Sequence, residues 1–334
     1  MFRTIRHTTI VSMLVLLLAP CYAGAEVLWL SDSRPVKRKA ASEHEHNVPD
    51  GYIASADEVD TTHKEKKQLW LRRGDDPLRA AYVDKDSVDS AVVLLDRQGN
   101  RSSMELADKN GPWHASAVLE ELGFYNAYLT IQTVHDGRLE VQTAKAELLR
   151  GTCCRKGIEE ETTRAPLDPT APIELVREHL PDEELMTRIT SGDRLTFTVL
   201  GRGAPLAGVP VTLITQHGWH NTAVSDDQGR VSYTMIRDYY PSWSEFNRRH
   251  RETYLTVAHL DTREKGTYED TPYTSVRYTA TLAGHYYPSS ADYRSYAYGL
   301  SITLLVFTFG GTAIYLYRRR RRKPFKEVRF DGKD

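Results

Sequence analysis

The stretch Asp193–Tyr233, DRLTFTVLGRGAPLAGVPVTLITQHGWHNTAVSDDQGRVSY, decides the fold class of this 334-residue chain. Near its start Leu195, Phe197 and Val199 alternate with threonines, which is the two-residue period of a strand with one buried face. A turn rich in Gly and Pro leads to a second apolar run, Val209–Thr215, and an Asp-Asp-Gln-Gly turn precedes a third. This pattern is typical of extracellular β-sandwich modules.

The same alternation continues on both sides of this stretch and predicts an all-β chain. Upstream, Ser90–Leu95 and Tyr125–Val134 are apolar runs separated by turn sequences. A segment with three prolines and three consecutive glutamates divides the strands into two groups and is typical of an interdomain linker. We therefore expect two Ig-like β-sandwich domains. The expected bounds are 26–150 for the first domain, which carries a polar insertion, 151–172 for the linker, and 173–285 for the second domain.

Both ends of the chain carry membrane-targeting patterns. Residues 1–25 combine two arginines, an apolar run and a small-x-small site, which predicts a cleaved secretory signal peptide. Residues 295–317 contain no charged residue and, as a helix, would span about 34 Å, enough to cross a bilayer. Residues 318–334 follow as a basic cytoplasmic tail. We expect a single-pass protein of the inner (cytoplasmic) membrane with the bulk of the chain in the periplasm.

Between these ends the chain is acidic. Residues 26–317 hold 33 Lys and Arg against 42 Asp and Glu, a net charge of −9, although the whole chain is nearly neutral. Nucleic-acid binding requires basic surface that displaces counterions, so this charge argues against a nucleic-acid partner. The acidic charge suits cation binding, and solubility alone also accounts for it.

Motifs of catalysis are scarce in this sequence. The chain has no GxSxG elbow, no HExxH pair and no Walker loop, and Gly201-x-Gly203 has the wrong spacing for a dinucleotide turn. We therefore expect no enzymatic activity. Cys153 and Cys154 are the only thiols left after signal removal. A vicinal disulfide, a bridge to another chain and a soft-metal site are all open for them.

Histidines are the sharpest candidates for a binding site. His217 and His220 flank a Gly-Trp pair, and the backbone freedom of glycine allows a turn that brings both imidazoles to one ion. His44 and His46, in the polar insertion, share one face of an extended chain and are the second candidate pair for a divalent transition metal. The alternatives are packing at the end of a sandwich for the first pair and solvation in a polar loop for the second.

Residues 238–251, DYYPSWSEFNRRHR, form a long aromatic and charged insertion in the second predicted domain. Long loops of this kind often carry function, so Trp243 and Phe246 are the candidate partner-binding residues. Stacking of these aromatic rings on sugars is the alternative.

Several short motifs of the second predicted domain recur in one family. They are Ile173–Val176, Ser191–Asp193, Pro205–Val211, Gly218-Trp219, Asp226–Arg230, Tyr273 and Arg277–Thr279, together with Trp29-Leu30 at the expected mature start. On these motifs the chain resembles a bacterial periplasmic family described as the substrate-specific component of nickel or cobalt uptake. The resemblance implies a sandwich similar to carboxypeptidase-regulatory-like domains and a divalent metal, nickel or cobalt, as ligand. Members usually carry a His just before that Trp, where this chain has Val27 and Leu28.

These observations together predict a membrane-anchored periplasmic accessory protein. Its expected role is to bind a divalent transition metal and present it to an inner-membrane transporter. The alternative is a structural or protein-interaction module of an envelope complex, in which the insertion contacts other subunits.

Overall fold

The computed structural model describes residues 26–34, 65–85, 88, 90–106, 111–150, 166–181, 183, 187–239, 251–321 and 332. Within these residues the regular structure is almost entirely β-strand, and it ends in one α-helix, α1 (Ser290–Arg321). The strands of the first half are β1 (Leu28–Ser31), β2 (Glu65–Arg73), β3 (Ala81–Tyr82), β4 (Val93–Leu95), β5 (Arg101–Ser103), β6 (Glu105–Leu106), β7 (His114–Leu119), β8 (Gly123–His135) and β9 (Arg138–Arg150). The strands of the second half are β10 (Glu174–Arg177), β11 (Arg194–Gly201), β12 (Ala204–Pro205), β13 (Pro210–Thr215), β14 (His220–Val224), β15 (Arg230–Thr234), β16 (Glu252–Thr262), β17 (Gly266–Tyr268), β18 (Thr271–Tyr273) and β19 (Ser275–Tyr286).

The described strands form four sheets. A five-stranded sheet has the order β1-β2-β7-β6 with β3 on β2, and a four-stranded sheet has the order β10-β11-β12 with β15 on β11. The largest sheet has eight strands in the order β14-β13-β16-β19-β9-β8-β4-β5, and β17 pairs with β18 separately. A mostly β-sheet chain with an apolar helix near its C-terminus is what the sequence predicts.

The eight-stranded sheet connects the two halves of the chain. Strands β9 and β19 pair in parallel from Arg138 opposite Ser275 to Lys145 opposite Leu282, whereas every other neighbouring pair in this sheet is antiparallel. The backbone hydrogen bonds of the sheet therefore continue without interruption from β8 and β9 into β16 and β13. The predicted bounds 26–150 and 173–285 stay a prediction, but the two segments share one sheet.

Each half of the chain has its own apolar core. In the first half, side chains of the five-stranded sheet, such as Leu69 and Ala115, pack against side chains of β8 and β9, such as Leu129 and Ala144. In the second half, side chains of the four-stranded sheet pack against those of β13, β16 and β19. The residues of this second core include Phe197, Val199, Leu213, Tyr254 and Leu282. Alternation along each strand produces these cores because successive side chains point to opposite faces.

Strand β1 lies between the two halves. Its Leu28 and Leu30 belong to the first core, whereas Trp29 on the opposite face packs with Leu255 and Val257 of β16. The hydroxyl of Thr281 in β19 donates to the carbonyl of Leu28 at 2.8 Å. A strand of four residues therefore contacts both halves. The end of β1 lies near the end of the eight-stranded sheet that precedes α1.

A tight turn at residues 135–138 joins β8 to β9. His135 pairs with Arg138, and the two residues between them, Asp136 and Gly137, have φ values of 50° and 72°. Two successive positive φ values match a type I′ turn, whose twist fits the twist of the flanking strands. The Asp-Gly sequence is the preferred one for this turn, so local chemistry sets the register of the longest hairpin.

Helix α1 begins directly after β19. The Ser289 hydroxyl accepts a hydrogen bond from the Ala291 amide at 3.2 Å, as an N-cap residue does. The segment Arg294–Arg321 is long and apolar enough to cross a membrane, and its last turn carries four arginines. The predicted helix at 295–317 is therefore confirmed as a helix with these properties. The expected signal peptide lies outside the described residues, and so do residues 322–331, 333 and 334 of the basic tail, whereas residues 318–321 belong to α1.

Candidate functional site

Polar side chains gather at one end of the eight-stranded sheet, where β16 begins at Glu252 and β19 ends at Tyr286. We name it the helix-proximal end, because only residues 287–289 separate it from α1. Glu252 lies opposite Tyr286, and Thr253 lies opposite His285, in the antiparallel register. Since neighbouring residues of a strand point to opposite faces, these two pairs place polar groups on both faces of the sheet.

On one face, Asp32 is the shared acceptor for a histidine and an arginine. Its carboxylate accepts a hydrogen bond from His285 Nε2 at 2.9 Å and one from Arg251 Nη2 at 2.5 Å. His285 Nδ1 lies 3.4 Å from the hydroxyl of the buried Thr253. Burial opposes ionisation of Asp32, but His285 and Arg251 outweigh it and hold the pKa of this carboxyl far below its usual value. Asp32 is therefore ionised at any physiological pH.

The packing of β1 explains why Asp32 reaches this position. Trp29, fully buried, donates its indole N–H to the carbonyl of Gly74 at 2.9 Å. The guanidinium of Arg72 lies 4.8 Å from the centre of the Trp29 ring and 5.0 Å from that of Tyr82. Strand β1 cannot shift along the sheet without breaking these contacts. Asp32, three residues after Trp29, is therefore held beside His285.

On the other face, His217 makes the second cluster. Its Nε2 lies 2.8 Å from a carboxylate oxygen of Glu252, and its ring stacks on Tyr239 with centroids 4.3 Å apart and an 11° interplanar angle. The hydrogen bond to Glu252 raises the pKa of His217 above its usual value, although partial burial acts in the opposite direction. The hairpin turn that carries His217 depends on Gly218, whose φ of 93° favours glycine.

Asp238 connects this cluster to the end of β19. Tyr286 donates its hydroxyl to Asp238 at 2.9 Å, and the Thr215 hydroxyl donates to the other carboxylate oxygen. Burial, and then the charge of Asp238, raise the pKa of Tyr286, so this phenol stays protonated and remains a donor. Residues 238–239 and 251–252 are thus both held by side-chain contacts at the same end of the sheet.

The chemistry of this end is that of recognition by hydrogen bonds and charge. It combines carboxylates of Asp32, Asp238 and Glu252 with imidazoles of His217 and His285. Asp32 and His285 also line a cavity of about 160 Å³ together with Trp29, Thr253 and Arg177. Arg177 already donates to both carboxylate oxygens of Glu183, at 2.8 Å and 2.6 Å, so its charge is balanced within the protein.

The structure places the residues predicted from the sequence in different settings. His217 is part of the cluster with Glu252, whereas the exposed His220 begins β14 with its Nδ1 3.3 Å from the carbonyl of Gly218. No group of three or more His, Cys, Asp or Glu side chains that could hold a metal ion occurs among the described residues. The predicted residues His44, His46, Trp243 and Phe246, and the thiols Cys153 and Cys154, lie outside the described residues.

Sequence reasoning missed most members of this site. Asp32 and His285 are 253 residues apart, and His217 and Glu252 are 35 residues apart, so spacing gives no sign that they meet. The sequence offers one indication of these residues, because each of the four lies next to the end of an apolar run. A charged or imidazole group at a strand end is common, so that signal alone could not select these residues.

Comparison with known proteins adds little. No family model matches the chain, and no curated protein matches it. Among solved structures it is similar to a domain of a 1.5-MDa bacterial ice-binding adhesin, at 10% identity and TM-score 0.20, over 68% of this chain and 58% of that one. It is also similar to the D0-D1 domain of intimin, at 12% identity and TM-score 0.21, over 69% and 91% of the two chains.

A third similar structure is a DUF4785 family protein from Legionella pneumophila, at 12% identity and TM-score 0.19, over 58% of this chain and 49% of that one. The chain thus aligns with less than two thirds of the adhesin and Legionella structures. At these TM-scores the alignments carry no argument about fold or function.

Proposed function

We propose that this chain is a non-enzymatic accessory protein of a bacterial envelope, in which α1 is the single-pass anchor in the inner membrane. In this proposal the β-strands form two Ig-like sandwiches in the periplasm, after removal of a signal peptide. The helix-proximal end is then the part of the β region nearest the membrane, and its function is to bind a partner there. The partner class is a membrane protein complex, such as a transporter or another envelope assembly.

The observation that carries this proposal is the anchoring of both ends of residues 240–250. On one side Asp238 is held by Tyr286, and Tyr239 stacks on His217. On the other side Arg251 contacts Asp32, and Glu252 accepts from His217 at 2.8 Å. The predicted partner-binding residues, Trp243 and Phe246, are therefore joined on both sides to residues that are fixed at this end of the sheet.

The sequence of the anchored segment suits a protein partner. It contains Trp243 and Phe246 together with two consecutive arginines. Tryptophan and arginine are enriched among the residues that dominate binding energy at protein interfaces, and aromatic side chains are enriched in interfaces generally. Only three residues separate the helix-proximal end from α1. In this proposal the partner is therefore a molecule at or near the membrane surface.

Photocrosslinking in native membranes tests this proposal. A photoreactive amino acid replaces Trp243 in the full chain, and a matched variant carries it at Val224, which is 62% exposed at the opposite end of the β13–β14 hairpin. We expect a discrete adduct with an envelope protein from position 243, weakened by Phe246→Ala, and none from position 224. Equal adducts from both positions, or none from 243, would reject the interaction surface.

A divalent metal is the second candidate ligand, supported by the geometry of His217. Metal-binding histidines usually donate one ring N–H to a carboxylate, which orients the other nitrogen toward the ion. The contact of His217 Nε2 with Glu252 has this form and leaves Nδ1 as the ligand atom, with His220 three residues later. Nickel or cobalt is the metal implied by the family resemblance, and copper and zinc are suited to the same imidazole ligands.

Calorimetric titration of the full chain in detergent with nickel, cobalt, copper and zinc tests the metal. We expect micromolar or tighter binding of one ion, lost in the His217→Ala/His220→Ala double variant. The His259→Ala variant is the control, because that imidazole is half-buried and contacts Thr279 on the neighbouring strand. Silence for all four ions would reject the metal and leave the protein partner as the ligand.

A further inference from the structure

A lysine and a glutamate meet deep inside the protein, away from the helix-proximal site. Lys145 Nζ lies 2.6 Å from Glu174 Oε1, and the two side chains are 1% and 2% exposed. Tyr128 donates its hydroxyl to the same oxygen at 2.7 Å, while Glu174 Oε2 is buried and has no hydrogen-bond partner among the residues that the structure describes. An amine and a carboxyl group are therefore in contact in a dry site beside one phenol.

Regular structure on both sides fixes this contact. Lys145 sits in β9, opposite Tyr128 of β8 and opposite Leu282 of β19. Glu174 is the first residue of β10 and pairs with Leu200 of β11 in the four-stranded sheet. Two different sheets thus bring the reactive atoms together, and neither side chain has room to leave for solvent.

The buried ion pair is only partly satisfied: Lys145 Nζ also donates to the carbonyl of Leu175 at 3.4 Å, whereas Glu174 Oε2 has no hydrogen bond among the described residues. Two opposite charges in an apolar interior require hydrogen bonds to every polar atom, and one oxygen of Glu174 lacks such a bond. A reaction between the two groups would begin with transfer of a proton from the ammonium to the carboxylate, which gives a neutral amine beside a neutral carboxylic acid. These two neutral groups are the reactants of amide formation.

We propose that Lys145 and Glu174 condense to an intramolecular isopeptide bond. The lone pair of the neutral Nζ attacks Cδ of the protonated Glu174 carboxyl group, and the Nζ–Cδ bond forms. One carboxyl oxygen leaves as water, with the acid proton and one proton from Nζ, and the other oxygen becomes the amide carbonyl. No oxidant, reductant or cofactor takes part, because the reaction is a condensation.

Tyr128 is the catalytic residue of this step. Burial raises the pKa of the Tyr128 phenol, so it stays protonated and continues to donate. Its hydrogen bond to Oε1 stabilises the negative charge that develops on that oxygen as Nζ attacks Cδ, as an oxyanion-hole donor does. Exclusion of water from the site protects the product amide from hydrolysis.

Surface chemistry provides an internal control. Lys67 Nζ lies 2.5 Å from Glu65 Oε1, which is as close as the buried pair, but these side chains are 24% and 28% exposed. Water reaches both charged groups there, so we expect no amide between them. The Lys67–Glu65 and Lys145–Glu174 pairs thus have similar contact distances and differ in how deeply they are buried.

Peptide mapping of the purified full chain by mass spectrometry tests the bond. Trypsin cannot cleave after a modified Lys145, so we expect residues 139–150 joined to residues 165–177, with a mass one water below the sum of the two peptides. The Lys145→Met variant, close in size to lysine, should lack this species, and Tyr128→Phe should lower its yield at least several-fold. Peptides that contain Lys67 should stay unlinked.

The digest of the wild-type protein alone shows whether the bond exists. The test therefore does not depend on whether any variant folds. Unmodified peptides ending at Lys145, together with an unlinked 165–177 peptide, would overturn it and leave a buried ion pair. An equal yield of linked peptide in Tyr128→Phe would overturn the role of the phenol while keeping the bond.

Discussion

Replacing Asp32 by Asn should destabilise the protein by about 1–2 kcal/mol at pH 7. The carboxylate accepts from Arg251 and His285, and hydrogen bonds to charged groups contribute about 1.5–3 kcal/mol each. Because the Asp32 side chain is 37% exposed, water screens these interactions and roughly halves their sum. An Asn keeps one acceptor oxygen, so part of one hydrogen bond survives. The free energy of unfolding comes from urea titration followed by tryptophan fluorescence.

The pH dependence of this loss distinguishes an ionised Asp32 from a merely well-packed one. Its pKa in the folded protein lies below its usual value of 3.8, so its stabilisation is present above pH 3.8 and is lost as pH falls toward the folded value. The difference between wild type and Asp32→Asn should therefore be full at pH 7 and shrink below pH 4. The control is Asp261→Asn, which breaks the ion pair between Asp261 and Arg277. The Asp261 side chain is 61% exposed. Equal losses for the two variants, or a difference independent of pH, would refute the reasoning.

Two further outcomes follow from single side chains. A methyl group at Gly284 would overlap the ring of the buried Tyr254 directly opposite it, so Gly284→Ala should lower the free energy of unfolding by about 1–3 kcal/mol. Gly299→Ala, where the added carbon meets nothing within 4 Å, is its control and should leave the unfolding midpoint of the β region unchanged. Since Glu252 raises the pKa of His217 above 6.5, that pair stabilises the fold fully below pH 6.5 and less as pH rises through the folded pKa. The stability lost in His217→Gln should accordingly be larger at pH 5.5 than at pH 8.5, and the reverse order would contradict the contact.

Local sequence was sufficient for the elements of the fold. The alternation in Asp193–Tyr233 corresponds to β11, β13 and β15, and the Asp-Gly pair after His135 corresponds to a hairpin turn. The apolar run at 295–317 lies inside α1. In each case the information needed, a period, a turn residue or an apolar run, lies within the element itself. Local sequence did not identify which strands are neighbours.

The parallel pairing of β9 with β19 could not be predicted in the same way. Both strands are apolar on alternate positions, and that period identifies a buried face without identifying the neighbouring strand. Lys145 illustrates the limit, because a lysine in a strand is expected at the surface and here it is fully buried. Only the approach of Glu174 from another sheet explains its position, and no local pattern encodes that approach.

The candidate site was predicted in part, for the same reason. His217 could be selected because an imidazole next to glycine in a hairpin turn is locally unusual. Its partners Glu252 and Tyr239 come from the borders of the 238–251 insertion, and no local pattern indicated that they contact His217. The prediction paired His217 with His220, which is exposed, whereas the structure pairs it with a carboxylate.

Strand β1 makes the two halves of the β region a single mechanical unit. Its Trp29 covers Leu255 and Val257 on the outer face of β16, so removal of the first half would expose this apolar surface as well as the edge of β19. Asp32, at the end of the same short segment, then contacts His285, five residues before α1 begins. A rotation of the first half relative to β16 and β19 would have to break the parallel pairing, the Trp29 contacts and the Asp32 hydrogen bonds together. Both halves of the β region therefore hold the helix-proximal site in place.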